Sequence, residues 1–310
     1  MAVNLKGKSL LSLKDFNREE LEEFLLQGEK LKIDRYAGKN EPFLRGKTVI
    51  VLFEKPSTRT RISFAVAIHE LGAMPLVLET TNMQLMRGET VPDTARVMGR
   101  YVHGIVARVF AQKTLEELAA YSGVPVVNAL SDFSHPCQAL GDFLTIKEKK
   151  GRLEGLKLAY LGDGNNVANS LLFGGSILGV NVTVASPEGF EPMKEVVEKA
   201  TEFANGSGAK IEITNDPVAA AKDADVLYTD VWASMGKEEE HDKRVSIMKP
   251  YQINETILTH AKKDVIVMHC LPAHRGEEIT DEVLDGPHSV VFDQAENRLH
   301  IQKAILSLLI

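Results

Sequence analysis

The chain has 310 residues, 44% of them hydrophobic and 25% charged, with 36 basic against 43 acidic side chains and a formal net charge of −7. That length is long for one core and comfortable for two domains, and the apolar and charged fractions are those of an ordinary globular protein. The acidic balance argues against a nucleic-acid partner, which needs a basic face or stripe, while leaving room for a local basic pocket. No apolar stretch reaches the length of a membrane span. The two cysteines, Cys137 and Cys270, lie far apart and offer neither a disulfide framework nor a zinc spacing. With no signal-like apolar region at the N-terminus, the expected location is the reducing cytoplasm.

The first predicted element is an amphipathic helix within residues 13–32, with Asp15 or Asn17 as cap and Leu21, Phe24, Leu25 and Leu31 on one face. Thr48 to Phe53 has the length and β-branched content of a buried strand. After it comes Glu54-Lys55-Pro56-Ser57-Thr58-Arg59-Thr60-Arg61, then a helix whose apolar face carries Phe64, Ile68 and Leu71 and which Gly72 can stop. Pro56 suits a helix start. Hydroxyls, two guanidinium groups and free backbone N–H donors at a helix N-terminus make an anion site, with phosphate as its natural occupant. Capping alone accounts for one hydroxyl and not for the interleaved arginines.

A strand at 75–79 leads into a loop over 80–89. Thr90 and Asp93 match a capping box for a helix to about Tyr101. A strand at 104–110, a helix at 113–122 and a strand at 124–128 follow. His135-Pro136-Cys137-Gln138 opens a long helix that ends in the charged run at 147–151, and the domain boundary is expected around 145–152. The second half repeats the rhythm, with strands at 156–161, 181–185, 210–214, 226–229 and 265–269 and helices at 168–178, 191–205 and 218–222. A last strand is expected at 289–292, followed by a helix from about Glu296 through Ile301, Ala304, Ile305, Leu308 and Leu309. Alternation of this kind predicts an α/β protein of two tandem domains, each a mainly parallel sheet flanked by helices. Ligands in such sheets bind beyond the carboxyl ends of the strands, where most of the polar motifs fall.

Arg108 interrupts an apolar strand, and an arginine is rarely buried there without a partner; the alternatives are an exposed strand edge or a second guanidinium for the same anion. His135 and Gln138, three apart at a helix start, can face one site, and Cys137 reads as a small packed hydrophobe. Gly162-Asp163-Gly164-Asn165-Asn166-Val167 follows a strand and opens a helix. Val167 stands where a dinucleotide fingerprint needs its third glycine, and the next strand ends without the acidic residue for a ribose, so a nicotinamide dinucleotide is disfavoured. Asn166 at that turn suits a small zwitterion. Asp230-Val231-Trp232-Ala233-Ser234-Met235-Gly236, at a strand end, suits an amino group or an ordinary turn. His269-Cys270-Leu271-Pro272 places a thiol at another strand end. Thiol nucleophile, substrate-orienting thiol and buried cysteine all remain open for Cys270, and strand alternation makes His269 a poor base for it. A metal held by His269, Cys270 and His274 would match no familiar zinc pattern.

Taken together and in this order, these motifs resemble the ornithine carbamoyltransferase family over essentially the whole chain. Ser57 to Arg61 and His135 to Gln138 are similar to the carbamoyl phosphate motifs of carbamoyltransferases; Asp230 to Gly236 and His269 to Pro272 are similar to elements of the ornithine branch. The resemblance implies an enzyme that moves the carbamoyl group of carbamoyl phosphate to the δ-amine of L-ornithine, with no metal and no cofactor. It implies that Ser57, Thr58, Arg59, Thr60, Gln84, Arg108, His135, Gln138, Cys270, Leu271 and Arg298 bind carbamoyl phosphate, and that Asn166, Asp230, Ser234 and Met235 bind ornithine. Thr60, Arg108, His135 and Cys270 are its implied catalytic residues. A carbamoyl phosphate domain at 1–148, an ornithine domain at 149–295 and a C-terminal helix at about 296–310 returning to the first domain are implied as well. Gln84 would reach a neighbouring subunit, so the implied assembly is a trimer or a multiple of it. An aspartate enzyme would need basic residues for a second carboxylate, and a putrescine enzyme would have no use for groups that grip an amino-acid head.

Overall fold

The computed structural model describes residues 3–83, 88–232 and 241–310. The chain divides into two compact units, Met1–Leu144 with Asn297–Ile310, and Thr145–Glu296. No helix among the described residues is long and apolar enough to cross a membrane.

The first unit opens with α1 (Arg18–Tyr36). Of the two candidate caps it uses Asn17. Glu20 N–H donates to Asn17 Oδ1 at 2.9 Å, and Asn17 N–H donates to Glu20 Oε2 at 3.0 Å, a reciprocal box that satisfies two otherwise orphaned donors. Then come β1 (Thr48–Phe53), α2 (Thr58–Glu70), β2 (Met74–Glu79), α3 (Val91–Tyr101), β3 (Gly104–Arg108), α4 (Gln112–Ser122), β4 (Val126–Leu130) and α5 (Pro136–Lys150). The strands pair in parallel in the order β2-β1-β3-β4. Central β1 is apolar almost throughout because helices cover both of its faces. Ile50, Leu52, Ala95, Ile105, Ala107, Leu115 and Val126 share one buried cluster. Gly72 ends α2 at φ 80°, where a Cβ would also come within 2.8 Å of Pro42 Cβ, so both conformation and space require glycine there.

The second unit carries β5 (Lys157–Leu161), α6 (Asn166–Leu178), β6 (Asn181–Ala185), α7 (Lys194–Ser207), β7 (Ile211–Thr214), α8 (Pro217–Ala221), β8 (Val226–Thr229), α9 (His241–Met248), α10 (Glu255–Leu258), β9 (Ile266–His269), α11 (Asp281–Leu284) and the start of α12 (Val291–Leu309). Its sheet is again parallel, ordered β7-β6-β5-β8-β9. In each sheet the order reverses once, between β1 and β3 in the first and between β5 and β8 in the second. Such a switch point leaves a crevice beyond the strand ends because the flanking loops diverge to opposite faces.

The expected strand at 289–292 is absent: Ser289 makes one isolated bridge to Val267, and the chain turns directly into α12. The apolar run Val290-Val291-Phe292 has strand composition, but Val291 is buried, Phe292 is exposed and Gln294, Asn297 and Arg298 are buried. That is a helical rather than an alternating pattern. The last helix therefore starts five residues before Glu296, and from Asn297 onward its residues belong to the first unit.

Candidate active site

In the first unit the polar cluster lies at the carboxyl edge of the sheet. Phe53 at the end of β1 is in register with Arg108 at the end of β3, and Glu54 N–H donates to the Arg108 carbonyl at 2.8 Å. The chain leaves β1 into α2, whose N-cap is Ser57; Ser57 Oγ accepts from Thr60 N–H at 3.4 Å. Arg108 is 8% exposed on a central strand, which removes the exposed-edge alternative. The chain leaves β4 and enters α5 at Pro136, which brings buried His135 and Gln138 to the same edge. Arg298 reaches the cluster from α12: its Nη2 donates to the buried Thr60 hydroxyl oxygen at 2.9 Å. α5 and α12 lie close together at Gly141, where a Cβ would sit in van der Waals contact with Arg298 Cγ at 3.4 Å.

The charges set the protonation states. Burial pushes His135 well below the usual imidazole range, and the Arg298 and Arg108 guanidiniums push it further, so its ring is neutral at neutral pH. Gln138 donates its Nε2 to Asp142 Oδ1 at 2.8 Å, and its Oε1 is buried without a partner. The amide thus presents a spare acceptor. Burial pushes the Cys137 thiol up to about 12, and its Sγ–H donates to the Asn128 carbonyl at 3.3 Å, the behaviour of a packed cysteine.

Of the two arginines in the opening motif, Arg59 is exposed at the first turn of α2, whereas Arg61 is bound to Glu79 and lies over the Phe53 ring. The anion-binding argument from sequence counted both, and only Arg59 is left for it. Lys55 was not singled out by sequence. Its ammonium lies over the Phe110 ring, 4.3 Å from the centroid, and burial followed by the Arg108 charge lowers its affinity for its proton. Its signal was available, as a lysine inside the motif itself.

In the second unit the cluster gathers at the ends of β5, β8 and β9. The turn after β5 approaches other backbone closely: a Cβ on Gly164 would fall 2.2 Å from Pro192 N. Asn165 then caps α6, with Asn166 as its first residue. Asp230, just past β8, is buried; Cys270 Sγ–H donates to its Oδ1 at 2.8 Å, and Asn165 Nδ2 donates to its Oδ2 at 2.7 Å. His269 serves a different partner. Its Nδ1 accepts from Leu271 N–H at 2.9 Å, so its proton sits on Nε2, facing Glu278 Oε1 at 2.9 Å. That bond spans the turn in which Leu271 takes the left-handed φ of 58°. Tyr160 is buried and stacked on Tyr228 with centroids 5.8 Å apart; burial, then the negative charge of Asp230 and Asp163, keeps its hydroxyl protonated. Ser234, Met235 and Gln84 lie outside the described residues.

Two relationships to known proteins bear on these clusters. Residues 8–148 match the model of the aspartate/ornithine carbamoyltransferase carbamoyl-P binding domain, and residues 154–309 match that of the Asp/Orn binding domain of the same enzymes. The chain belongs to the aspartate/ornithine carbamoyltransferase family. It is 59% identical over 308 residues to the ornithine carbamoyltransferase of Thermococcus kodakarensis, covering 99% of this chain and 98% of that one. A solved ornithine carbamoyltransferase from Pyrococcus furiosus superposes with a TM-score of 0.97 at 55% identity, covering 99% of this chain and 98% of that one. The solved enzyme of Gloeobacter violaceus gives 0.89 at 48%, covering 99% of each chain.

The three groups that sequence offered as a metal set divide between two clusters, His269 and Cys270 in one and His274 in the other. Among the described residues, Asp230, His269 and Cys270 form one cluster of potential donors and His274, Glu277 and Glu278 another, the donors of each within 4.8 Å of one another. Cys270 bonds Asp230, His269 bonds Glu278, and Glu278 also accepts from His274 N–H at 2.6 Å. A cation would have to displace these bonds.

Proposed function

We infer that this carbamoyltransferase-family chain transfers the carbamoyl group of carbamoyl phosphate to the δ-amine of L-ornithine, giving L-citrulline and phosphate. The buried carboxylate of Asp230, facing the Cys270 thiol at a strand end, carries the choice of amine. An acidic group there suits the ammonium of ornithine's zwitterionic head, whereas aspartate would need added positive charge for its second carboxylate. Names of relatives support the same choice, including the Pyrococcus furiosus enzyme designated anabolic, 55% identical over 308 residues.

In this reading Ser57, Thr58, Arg59, Thr60, Gln84, Arg108, His135, Gln138 and Arg298 bind carbamoyl phosphate, with Cys270 and the Leu271 carbonyl beside the carbamoyl group. Asn166, Asp230, Ser234 and Met235 bind ornithine. The backbone donors at the start of α2 and the Arg59 guanidinium take the phosphate. Gln138 Oε1 accepts from the carbamoyl NH2. Thr60 accepts from Arg298 and so has its own proton to donate to the carbamoyl oxygen, beside Arg108 and the neutral His135. These donors stabilise the charge that gathers on that oxygen as the amine attacks, a role in which one donor is worth about 3 to 4 kcal/mol. Ornithine's δ-amine is cationic in water and must lose a proton before it attacks; Cys270 with Asp230 steers that proton, and the departing phosphate takes the proton released on bond formation. Residues 1–148 with 296–310 form the carbamoyl phosphate domain and 149–295 the ornithine domain. The assembly is a trimer or a multiple of it, with Gln84 completing a neighbour's site, and the enzyme works in the cytoplasm.

A substrate panel tests the reading: carbamoyl phosphate with L-ornithine, L-aspartate or putrescine, with product identified by mass spectrometry. Citrulline as the fastest-formed product supports it. Faster carbamoylation of aspartate or putrescine sinks it.

A further inference from the structure

Asp230 is gripped through both oxygens. Cys270 Sγ–H and Val231 N–H each donate to Oδ1 at 2.8 Å, and Asn165 Nδ2 donates to Oδ2 at 2.7 Å. The Asn165 amide has no freedom to turn over. Its Oδ1 is the N-cap acceptor of α6, taking the Val167 N–H at 2.9 Å and the Ala168 N–H at 3.2 Å, with the Tyr160 hydroxyl donating to it at 3.4 Å. A flipped amide would set its NH2 against two backbone donors and its carbonyl against a carboxylate, losing every bond at once. The first turn of α6 therefore decides which end of Asn165 faces Asp230. Sequence singles out Asn166, the next residue along, for the zwitterionic substrate itself, whereas Asn165 contacts Asp230.

We propose that Asn165 is the positioning residue that aims the Asp230 carboxylate at the amine substrate, with its helix-capping oxygen as the latch that keeps its N–H pointed at Asp230. The proposal rests on Asp230 being the carboxylate that meets ornithine. A charged carboxylate bonded through both oxygens holds one rotamer, and the rigid start of α6 supplies the reference frame. The Cys270 thiol depends on the same carboxylate for its orientation, so the latch also fixes where the sulfur stands.

Two substitutions separate latch from donor. N165S keeps a capping oxygen at the start of α6 and removes the N–H donor. N165D keeps oxygen and shape and replaces the donor with a second carboxylate beside Asp230. In an assay where the wild type forms citrulline, N165S is expected to lose roughly 10- to 100-fold in kcat/KM for ornithine, the scale of one charge-assisted hydrogen bond. KM for carbamoyl phosphate and the far-UV circular dichroism should stay at wild-type values, and N165D should lose more than N165S. Should N165S fail to fold, N165T carries the same expectation, since threonine also caps. An unchanged ornithine kcat/KM in the folded variant, or an equal rise in KM for both substrates, overturns the proposal. A wild type that makes no citrulline instead removes the reading of Asp230 on which the proposal stands.

Discussion

Thr60→Val tests whether Thr60 meets the reacting carbonyl or only supports Arg298. Thr60 is wholly buried, and its Oγ1 accepts from Arg298 Nη2 at 2.9 Å. Valine keeps the branched shape and deletes the hydroxyl, so two separate losses follow. Loss of a donor to the carbamoyl oxygen costs about 3 to 4 kcal/mol of transition-state stabilisation, or about two to three powers of ten in rate. Loss of an acceptor for a buried guanidinium costs about 1 to 3 kcal/mol of stability. The first is read in kcat at saturating carbamoyl phosphate and ornithine, and the second in the denaturation midpoint of the substrate-free protein. Thr60→Ser restores the hydroxyl and should recover most of the rate. If Thr60→Val shows the stability loss with near-wild-type kcat, Thr60 acts on Arg298 alone and the assignment of the carbonyl contact fails.

Burial and the two arginines hold His135 neutral, so the unfolded chain takes up its proton first as pH falls below about 6.5; this contribution to stability is complete above that pH and declines beneath it. His135→Gln should flatten the decline between pH 6.5 and 5 in thermal melts, and should retain more activity than His135→Ala, because a neutral donor survives. Glu70 behaves in the opposite chemical sense. Burial would raise its carboxyl, but hydrogen bonds from Lys303 at 2.8 Å and Arg35 at 2.9 Å outweigh it and hold the group below its usual 4.5. Its contribution is present above pH 4.5 and lost as pH drops through the lowered value, so Glu70→Gln should melt with a shallower acid limb. Iodoacetamide at pH 8 on the native protein should label Cys270, which is partly exposed, and spare Cys137. Peptide mapping that finds Cys137 modified in folded protein would contradict its packing.

The alternation of strand and helix, the parallel sheets and most caps were legible because they rest on interactions within a few residues. Asn17 with Glu20, Ser57 with Thr60 and Thr90 with Asp93 all satisfy helix-end donors locally. The polar motifs could also be placed at strand ends, since a parallel sheet with crossover helices puts every post-strand turn on one edge. The misreading of 289–292 shows the limit of composition. Val290-Val291-Phe292 favours a strand by residue type, but beside β9 the chain makes only the bridge from Ser289 to Val267 before the helical burial pattern takes over.

What sequence by itself determined was therefore the set of elements, the motif positions and the family resemblance they carried. Tertiary structure decided which groups meet. Arg298 reaches Thr60 across 238 residues of chain, Arg61 is drawn away to Glu79, and Asn165 bonds Asp230 across 65 residues. Each of these turns on a side chain choosing among partners brought close by packing. The choice is made by burial, which leaves a guanidinium or carboxylate no water to fall back on and so binds it to whichever complementary group the fold presents.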